Sequence, residues 1–192
     1  MFAAAIILSA AAVTGNLLYF KIKHDKLLFP MISAVIFSVI ISSLLYPKTE
    51  TADFIKYFTV MSLLHICSTN DIIRHRSDNI FPVLIIAVGL IIPANIGYSL
   101  FSLTVTVVFF VIIIVVCKDT IGGGDIKMIC ALSFFFGIAI TVNAMITACI
   151  AGIIYAAAAK ISAKLPDPSK RFAFLPFVEI GYITALLLSF TK

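Results

Sequence analysis

Long apolar runs separated by short polar connections dominate the chain. We mark eight of them: Phe2 to Phe20, Leu27 to Tyr46, Phe54 to Asp71, Asn79 to Gly97, Ser99 to Cys117, Asp125 to Gly137, Thr141 to Lys160, and Phe172 to Phe190. A helix needs about 20 apolar residues to cross a bilayer, so the sixth run is short, and the stretch that it shares with the seventh could be divided elsewhere. The pattern predicts an all-α, polytopic membrane helical bundle of about eight spans.

The composition supports a membrane chain. Hydrophobic residues make up 62% of the 192 residues and charged residues 12%, whereas soluble domains carry about 25% charged residues. The mean hydropathy is +1.17. Because no polar stretch is long enough for a separate soluble domain, we expect a bundle whose chemistry takes place in or beside the bilayer.

The basic residues are distributed unevenly among the connections. The net charge of +5 could attract an anionic partner, but the chain lacks the clustered basic patch on a soluble scaffold that nucleic-acid binding requires, so no nucleic acid is expected. If the N-terminus faces outward, eleven of the fourteen basic residues lie on the cytoplasmic side, and only Lys48, Lys56 and Lys192 lie outside. Such a bias is typical of short cytoplasmic loops and supports eight spans. Three lysines follow the first run, which favours an uncleaved helix over a signal peptide.

Cysteine usage does not suggest metal or redox chemistry. The four cysteines are spread among the apolar runs, at Cys67, Cys117, Cys130 and Cys149. They lack the close pairing of zinc and redox motifs. We interpret them as small buried hydrophobic residues, and we expect neither a metal ion nor a cofactor.

Two aspartates fall at the same predicted face of the membrane. Asp71 closes the third run, and Asp125 opens the sixth directly after Gly122, Gly123 and Gly124. Carboxylates at the edge of the hydrocarbon are costly and usually serve a function. Two at one depth could divide the work of hydrolysis, one taking a proton from water while the other protonates a peptide carbonyl. The pattern favours an aspartyl protease in the membrane.

Neighbouring residues fit this hypothesis, although simpler interpretations stay open. The three glycines permit unusual backbone torsions and close approach of an extended substrate. Lys127 could hold a nearby negative charge or contact lipid headgroups. Alternatively, Asp125 could be only a helix N-cap, and Asp71 an interfacial residue paired with Arg74 or Arg76.

Two short motifs resemble those of the type IV prepilin peptidases, a family of membrane aspartyl proteases. The string Gly122-Gly123-Gly124-Asp125-Ile126-Lys127 is similar to the family's GxGDxK signature. Asp71, followed eight residues later by Asn79, is similar to its earlier D-x5-I-P-N motif. The resemblance covers roughly residues 54–190 and implies a six-helix peptidase core over 51–192, preceded by two transmembrane helices over 1–50.

The resemblance also implies roles for particular residues. Asp71 and Asp125 would be catalytic, and the residues that bind substrate or shape the site would be Gly122, Gly123, Gly124, Lys127 and Asn79. Glu179, well inside the last run, is a further candidate for lining a substrate groove. Ser77 and Asp78 stand where the family usually has Ile-Pro, which makes Asp78 an alternative to Asp71. Spacing favours Asp71, since Asp78 is explained as the N-cap of the fourth span.

The implied activity is removal of a short basic leader from prepilins, after a glycine, at the cytoplasmic face of the bacterial inner membrane. The loop from Lys21 to Lys26 is too short for the paired-cysteine segment of the large bifunctional members. The resemblance is therefore to the compact tight-adherence (Flp) branch, and methylation of the product is not expected. The implied partners are the prepilin and membrane lipid, and the sequence leaves the oligomeric state undetermined.

Two other function classes fit part of the pattern. Intramembrane acids and His65, together with glycine-interrupted helices, also mark proton-coupled transporters, but the two halves lack the self-similarity of inverted repeats. A non-enzymatic assembly component of a pilus or secretion complex would tolerate neutral replacements at both aspartates. We favour the protease.

Overall fold

The computed structural model describes residues 28–45, 51–74, 78–91, 95–117, 122–161 and 173–190. These ranges contain seven helices and no strand: α1 Leu28–Leu45, α2 Thr51–Arg74, α3 Ile80–Ile91, α4 Ile96–Cys117, α5 Gly123–Phe136, α6 Ile138–Ile161 and α7 Leu175–Ser189. The predicted all-α fold is confirmed. The first predicted run, Phe2 to Phe20, lies outside the described residues.

Two of these helices are apolar enough and long enough to cross a membrane. They are α4, over Ile96–Val116, and α6, over Ile138–Ala159. Shorter apolar helices cover Ile32–Ser43, Ile80–Ile91 and Leu175–Ser189. The described chain is that of a helical membrane protein, and the count of eight spans stays a prediction.

The predicted boundary between the fourth and fifth runs is wrong. We expected the fourth run to extend to Gly97, but α3 ends at Ile91, and Gly97 lies in the first turn of α4. The Asn95 side-chain oxygen accepts a hydrogen bond from the Tyr98 N–H at 3.1 Å. It thereby satisfies one of the amides that the start of a helix leaves without an intrahelical acceptor. Hydropathy alone misses this start because Asn95 lies within a continuous apolar stretch.

The chain divides into two compact units, residues 1–69 and 70–192. Within the first unit, the ring of Phe37 on α1 stacks on His65 of α2, with centroids 4.2 Å apart. His65 is buried. The predicted division of the chain at residue 50 stays a prediction.

Helix α5 is the centre of the second unit. Helices α3, α4 and α6 pack against it, and nearly every residue from Met128 to Phe136 is buried. A set of buried hydroxyls joins α4 to α5: Ser133 Oγ lies 2.7 Å from Thr106 Oγ1 and donates to the Ser102 carbonyl at 3.1 Å. Ser102 Oγ accepts the Ile138 N–H at 3.0 Å. These bonds satisfy polar groups at the break between α5 and α6, where Gly137 has a φ of +84°.

Helices α6 and α7 form an antiparallel pair with close backbone contact. Gly181 of α7 packs on the Ala144 carbonyl, where a side chain at position 181 would collide with the α6 backbone. Buried small residues of this kind let helices approach closely in a membrane. The Tyr182 hydroxyl donates to Thr141 Oγ1 at 3.0 Å. Nearer the start of α7, the Phe177 ring lies against the Tyr155 ring of α6, with centroids 5.5 Å apart, so α6 also contacts the N-terminal part of α7.

Candidate active site

Asp125 is the third residue of α5 and not its N-cap. The N-cap is Gly122, whose backbone is extended, with φ −64° and ψ 130°. Its carbonyl accepts hydrogen bonds from the N–H groups of Asp125 at 3.0 Å and Ile126 at 3.3 Å. The interpretation of Asp125 as the N-cap is therefore wrong, because the helix continues backwards through two of the glycines. An acid in the first turn still faces the positive end of the helix.

The glycines do not adopt the unusual torsions that we expected. Gly123 and Gly124 are helical, and among the described glycines only Gly137 has a positive φ. Gly122 instead provides space, since a Cβ built there would lie 3.1 Å from Asp125 Oδ2. A Cβ at Gly123 would have no neighbour within 4 Å. The local reason for glycine at position 122 is therefore the side chain of Asp125, which folds back over it.

Asp71 lies one turn before the end of α2 and is 6% exposed. Its Oδ2 accepts a hydrogen bond from the backbone N–H of Leu175 at 3.3 Å. Leu175 is the first residue of α7, after Phe174 as N-cap. Its amide is among those at a helix start that have no intrahelical acceptor, and a carboxylate there is favoured by the helix dipole. Arg76, considered above as a partner of Asp71, lies outside the described residues.

The contact between Asp71 and α7 was missed by sequence reasoning. Pro176 lies in the first turn of α7, and proline in that position is a recognised signal of a helix start. This signal could have located the backbone N–H groups near Leu175 that have no acceptor within their own helix. It could not have identified their partner, which is 104 residues away in the chain.

The carboxyl groups of Asp71 and Asp125 influence each other electrostatically. Burial, and after it the negative charge of Asp71, raise the pKa of Asp125 to about 7. Asp125 lies in the first turn of α5, outside the two helices that are long enough to span a membrane. At neutral pH, one carboxyl of the pair can therefore carry a proton while the other is charged. Hydrolysis by acid and base needs two neighbouring acids of which one is protonated and the other is charged.

The structure joins two of the other predicted site residues. Lys127 Nζ donates a hydrogen bond to Asn79 Oδ1 at 3.1 Å, across 48 positions of sequence. Asn79 stands directly before α3, and Lys127 lies near the start of α5. Asp78 lies next to Asn79, and its backbone carbonyl accepts from the Phe81 N–H at 3.4 Å. The two motifs thus meet through the Asn79 side chain.

A groove of about 500 Å³ runs between α3 and α5. Its lining is apolar except at the end formed by Asn79 and Lys127, and the other lining residues are Pro82, Val83, Ile86, Cys130 and Ala131. Residues two positions apart on a helix point in nearly opposite directions. The groove and the Asp125 side chain are therefore on different sides of α5.

Glu179 is buried on α7, one turn after Leu175. It belongs to the same compact unit as Asp71 and Asp125. Its role in lining a substrate groove stays a prediction.

Comparison with known protein families relates the chain to a family of peptidases. A model described as the type IV leader peptidase family matches residues 58–157, about half of the chain. The matched range includes Asp71, Asn79 and the motif from Gly122 to Lys127, and it ends before α7. Neither the curated proteins nor the solved structures gave a match. The extent of the family match shows that the chain belongs to the type IV leader peptidase family and is a helical membrane peptidase.

Proposed function

We propose that the protein is a membrane aspartyl endopeptidase that removes the leader peptide of type IV or Flp prepilins, with Asp71 and Asp125 as its catalytic pair. The observation that carries this proposal is the electrostatic interaction between the two carboxyls, which contributes to the raised pKa of Asp125. Each acid lies in one of the two family-like motifs, and both fall in the matched range. Family membership favours a peptidase over the transporter and the non-enzymatic assembly component.

The proposed setting is the cytoplasmic face of the bacterial inner membrane. Eleven of the fourteen basic residues fall on that side in the eight-span arrangement, together with both aspartates. The short connection between the first two predicted spans supports the compact Flp branch. The proposed peptidase core covers 51–192, and residues 1–50 supply two further transmembrane helices.

The other site residues support the acids in different ways. Gly122 leaves room for the Asp125 side chain, and Gly123 and Gly124 form the first turn of α5 that carries it. Asn79 and Lys127 tie the start of α3 to α5. Glu179 contributes a buried acid to α7.

Replacing either catalytic acid by its amide tests the proposal. We expect Asp71→Asn and Asp125→Asn each to lower the cleavage of a prepilin in membranes by about 10²-fold to 10⁴-fold, the range that a general acid or base contributes. Asp78→Asn is the matched control, since Asp78 sits beside Asn79 at the start of α3, and it should keep most of the activity. Cleavage is measured per amount of inserted protein.

The outcomes of this experiment separate the hypotheses. Full activity of Asp125→Asn would contradict an aspartyl protease and favour a function that tolerates neutral replacement. Loss in Asp78→Asn with activity retained in Asp71→Asn would transfer the catalytic role to Asp78.

A further inference from the structure

The two proposed catalytic acids have different hydrogen-bonding surroundings. Asp71 is almost fully buried, and its Oδ2 accepts the N–H of Leu175 at the start of α7. A hydrogen bond from an amide N–H stabilises the charged form of a carboxyl group, and the positive end of a helix acts in the same direction. The Leu175 N–H and the N-terminus of α7 therefore favour a carboxylate at Asp71 and act against the effect of its burial.

Asp125 is placed differently. Its carboxyl group folds back over Gly122, whose missing side chain leaves the space that Oδ2 occupies. In the part of the chain that the structure describes, no donor lies within hydrogen-bonding distance of that carboxyl group. Burial and the neighbouring charge of Asp71 both oppose its ionisation. These surroundings favour the protonated form.

We propose that Asp71 is the general base of the reaction and Asp125 the general acid, and that the N-terminus of α7, through the Leu175 N–H, is the positioning element that determines this division. The inference rests on the proposed function and adds the assignment of the two roles. It also gives α7, which lies beyond the range matched by the family model, a part in the chemistry.

The proposed reaction has two steps, and each step contains two proton transfers. The Asp71 carboxylate takes a proton from water while the water oxygen bonds to the scissile carbonyl carbon, and protonated Asp125 gives its proton to the carbonyl oxygen. In the second step, Asp71 returns its proton to the leaving nitrogen as the C–N bond breaks. Asp125 recovers a proton from the hydroxyl group that becomes the new carbonyl. Both acids end in their starting states.

The described helices of the second unit carry few other charged side chains. Helices α3 and α4 contain no Asp, Glu, Lys, Arg or His, and the only such residue of α6 is Lys160 near its end. On α5, Lys127 donates to Asn79. Arg74 is exposed at the end of α2, and Glu179 is buried on α7. Within the described residues, burial and the charge of Asp71 act on Asp125, and the α7 amide acts on Asp71.

Infrared spectroscopy of the purified full-length protein tests the assignment without using activity. The carbonyl band of protonated carboxyl groups is followed in the wild type, Asp125→Asn and Asp71→Asn from about pH 4, near the ordinary pKa of aspartate, to about pH 9, because the pKa of Asp125 is raised to about 7. We expect a titration near neutrality that disappears in Asp125→Asn. In Asp71→Asn it should move to lower pH, since a neighbouring charge is lost, and stay above the ordinary range of aspartate, since burial persists.

The assignment would be overturned if the infrared titration near neutral pH survives in Asp125→Asn, or if it is lost equally in both variants. Prepilin cleavage by the wild type is measured on the same preparations. Absent cleavage counts against the proposed function, whereas normal cleavage with the reversed infrared pattern counts only against the division of roles.

The part played by α7 is tested by removing one backbone donor. Leu175→Pro lacks the N–H that Asp71 accepts, and proline is tolerated in the first turn of a helix. Leu175→Val is the matched control, because it also shortens the buried side chain but keeps the N–H. We expect the acidic limb of the kcat/KM profile to move upward by about one pH unit in Leu175→Pro only, as expected for losing one hydrogen bond to a charged group.

Equal profiles for the two Leu175 variants would overturn the role of the α7 amide. Proline at 175 also restricts Phe174, whose backbone is in the α region. If this prevents insertion of Leu175→Pro, an ester in place of the Phe174–Leu175 peptide bond removes the same N–H without restricting Phe174, and its kcat/KM profile is compared with that of the wild type; an unchanged acidic limb would overturn the role of the amide.

Discussion

At the scale of single residues, the two acids differ in what lies against each carboxyl group. Asp71 has the amide of Leu175 at 3.3 Å. Asp125 has the backbone of Gly122, close enough that a Cβ would stand 3.1 Å from Oδ2. The glycines of the motif therefore differ in how strongly they constrain the Asp125 side chain. Gly122 limits where the Asp125 carboxyl can go, whereas Gly123 faces open space.

Alanine at these two glycines tests this difference. We expect Gly122→Ala to lower prepilin cleavage by roughly tenfold, because the added Cβ displaces the Asp125 carboxyl by a few tenths of an ångström and misplacement of a reacting group is costly. Gly123→Ala is the matched control and should cleave at close to the wild-type rate. The measurement is the initial rate of processing per inserted protein. Equal rates in both variants would remove the proposed role of Gly122.

At the scale of helices, the site depends on three helix starts brought together in one unit. The start of α5 carries Asp125, the start of α7 contacts Asp71, and the start of α3 is bound through Asn79 to Lys127. The bond between Asn79 and Lys127 is exposed, so its contribution to stability is small, on the order of 1 kcal/mol. Its expected effect is on the position of α5 relative to α3. Small shifts of that kind matter for catalysis more than for folding.

A double-mutant cycle tests whether Asn79 and Lys127 act as one unit. We expect Asn79→Ala and Lys127→Met each to lower kcat/KM by about fivefold, and the double variant to be no worse than either, because both singles break the same bond. Lys56→Met is the control, since it removes a lysine that bonds at 3.0 Å to Asp53 within α2. A loss in Lys127→Met with a normal Asn79→Ala would instead indicate direct contact of Lys127 with substrate or lipid.

At the scale of the whole molecule, the apolar surface and the basic residues both bear on placement in the membrane. On α4, the buried residues Ser102, Thr106 and Phe110 recur every four positions, whereas most of its other side chains are exposed and hydrophobic. A helix with one buried stripe and an apolar exposed face suits contact with lipid. The uneven distribution of lysine and arginine predicts which side of the membrane each connection faces.

Site-directed labelling tests the orientation. In a background without the four native cysteines, single cysteines replacing Lys23, Arg76, Lys118 and Lys164 should react with a membrane-impermeant reagent only from the cytoplasmic side. Single cysteines replacing Lys48 and Lys192 should react only from outside. The expectation rests on the preference of basic loops for the cytoplasm. Labelling of positions 76 and 118 from opposite sides would contradict an arrangement in which Asp71 and Asp125 share one face.

Local features of the chain could be predicted from the sequence because they depend on residues that are close together in the chain. Apolar runs of sufficient length predict helices in a membrane, and α5 and α7 begin and end within about three residues of the expected positions. The spacing of the acids within their motifs is likewise a local property. Helix starts were less predictable, because one polar residue can begin a new helix within an apolar run, as Asn95 does.

The sequence by itself thus determined the helical membrane class and the family resemblance, since both are carried by composition and short motifs. Only the tertiary structure decided which atoms surround each acid. The contact from Leu175 to Asp71 and the bond from Lys127 to Asn79 join positions 104 and 48 residues apart. The ionisation of a carboxyl group depends on burial and on charges a few ångströms away. Neighbours of that kind come from chain folding and are not encoded in any one segment.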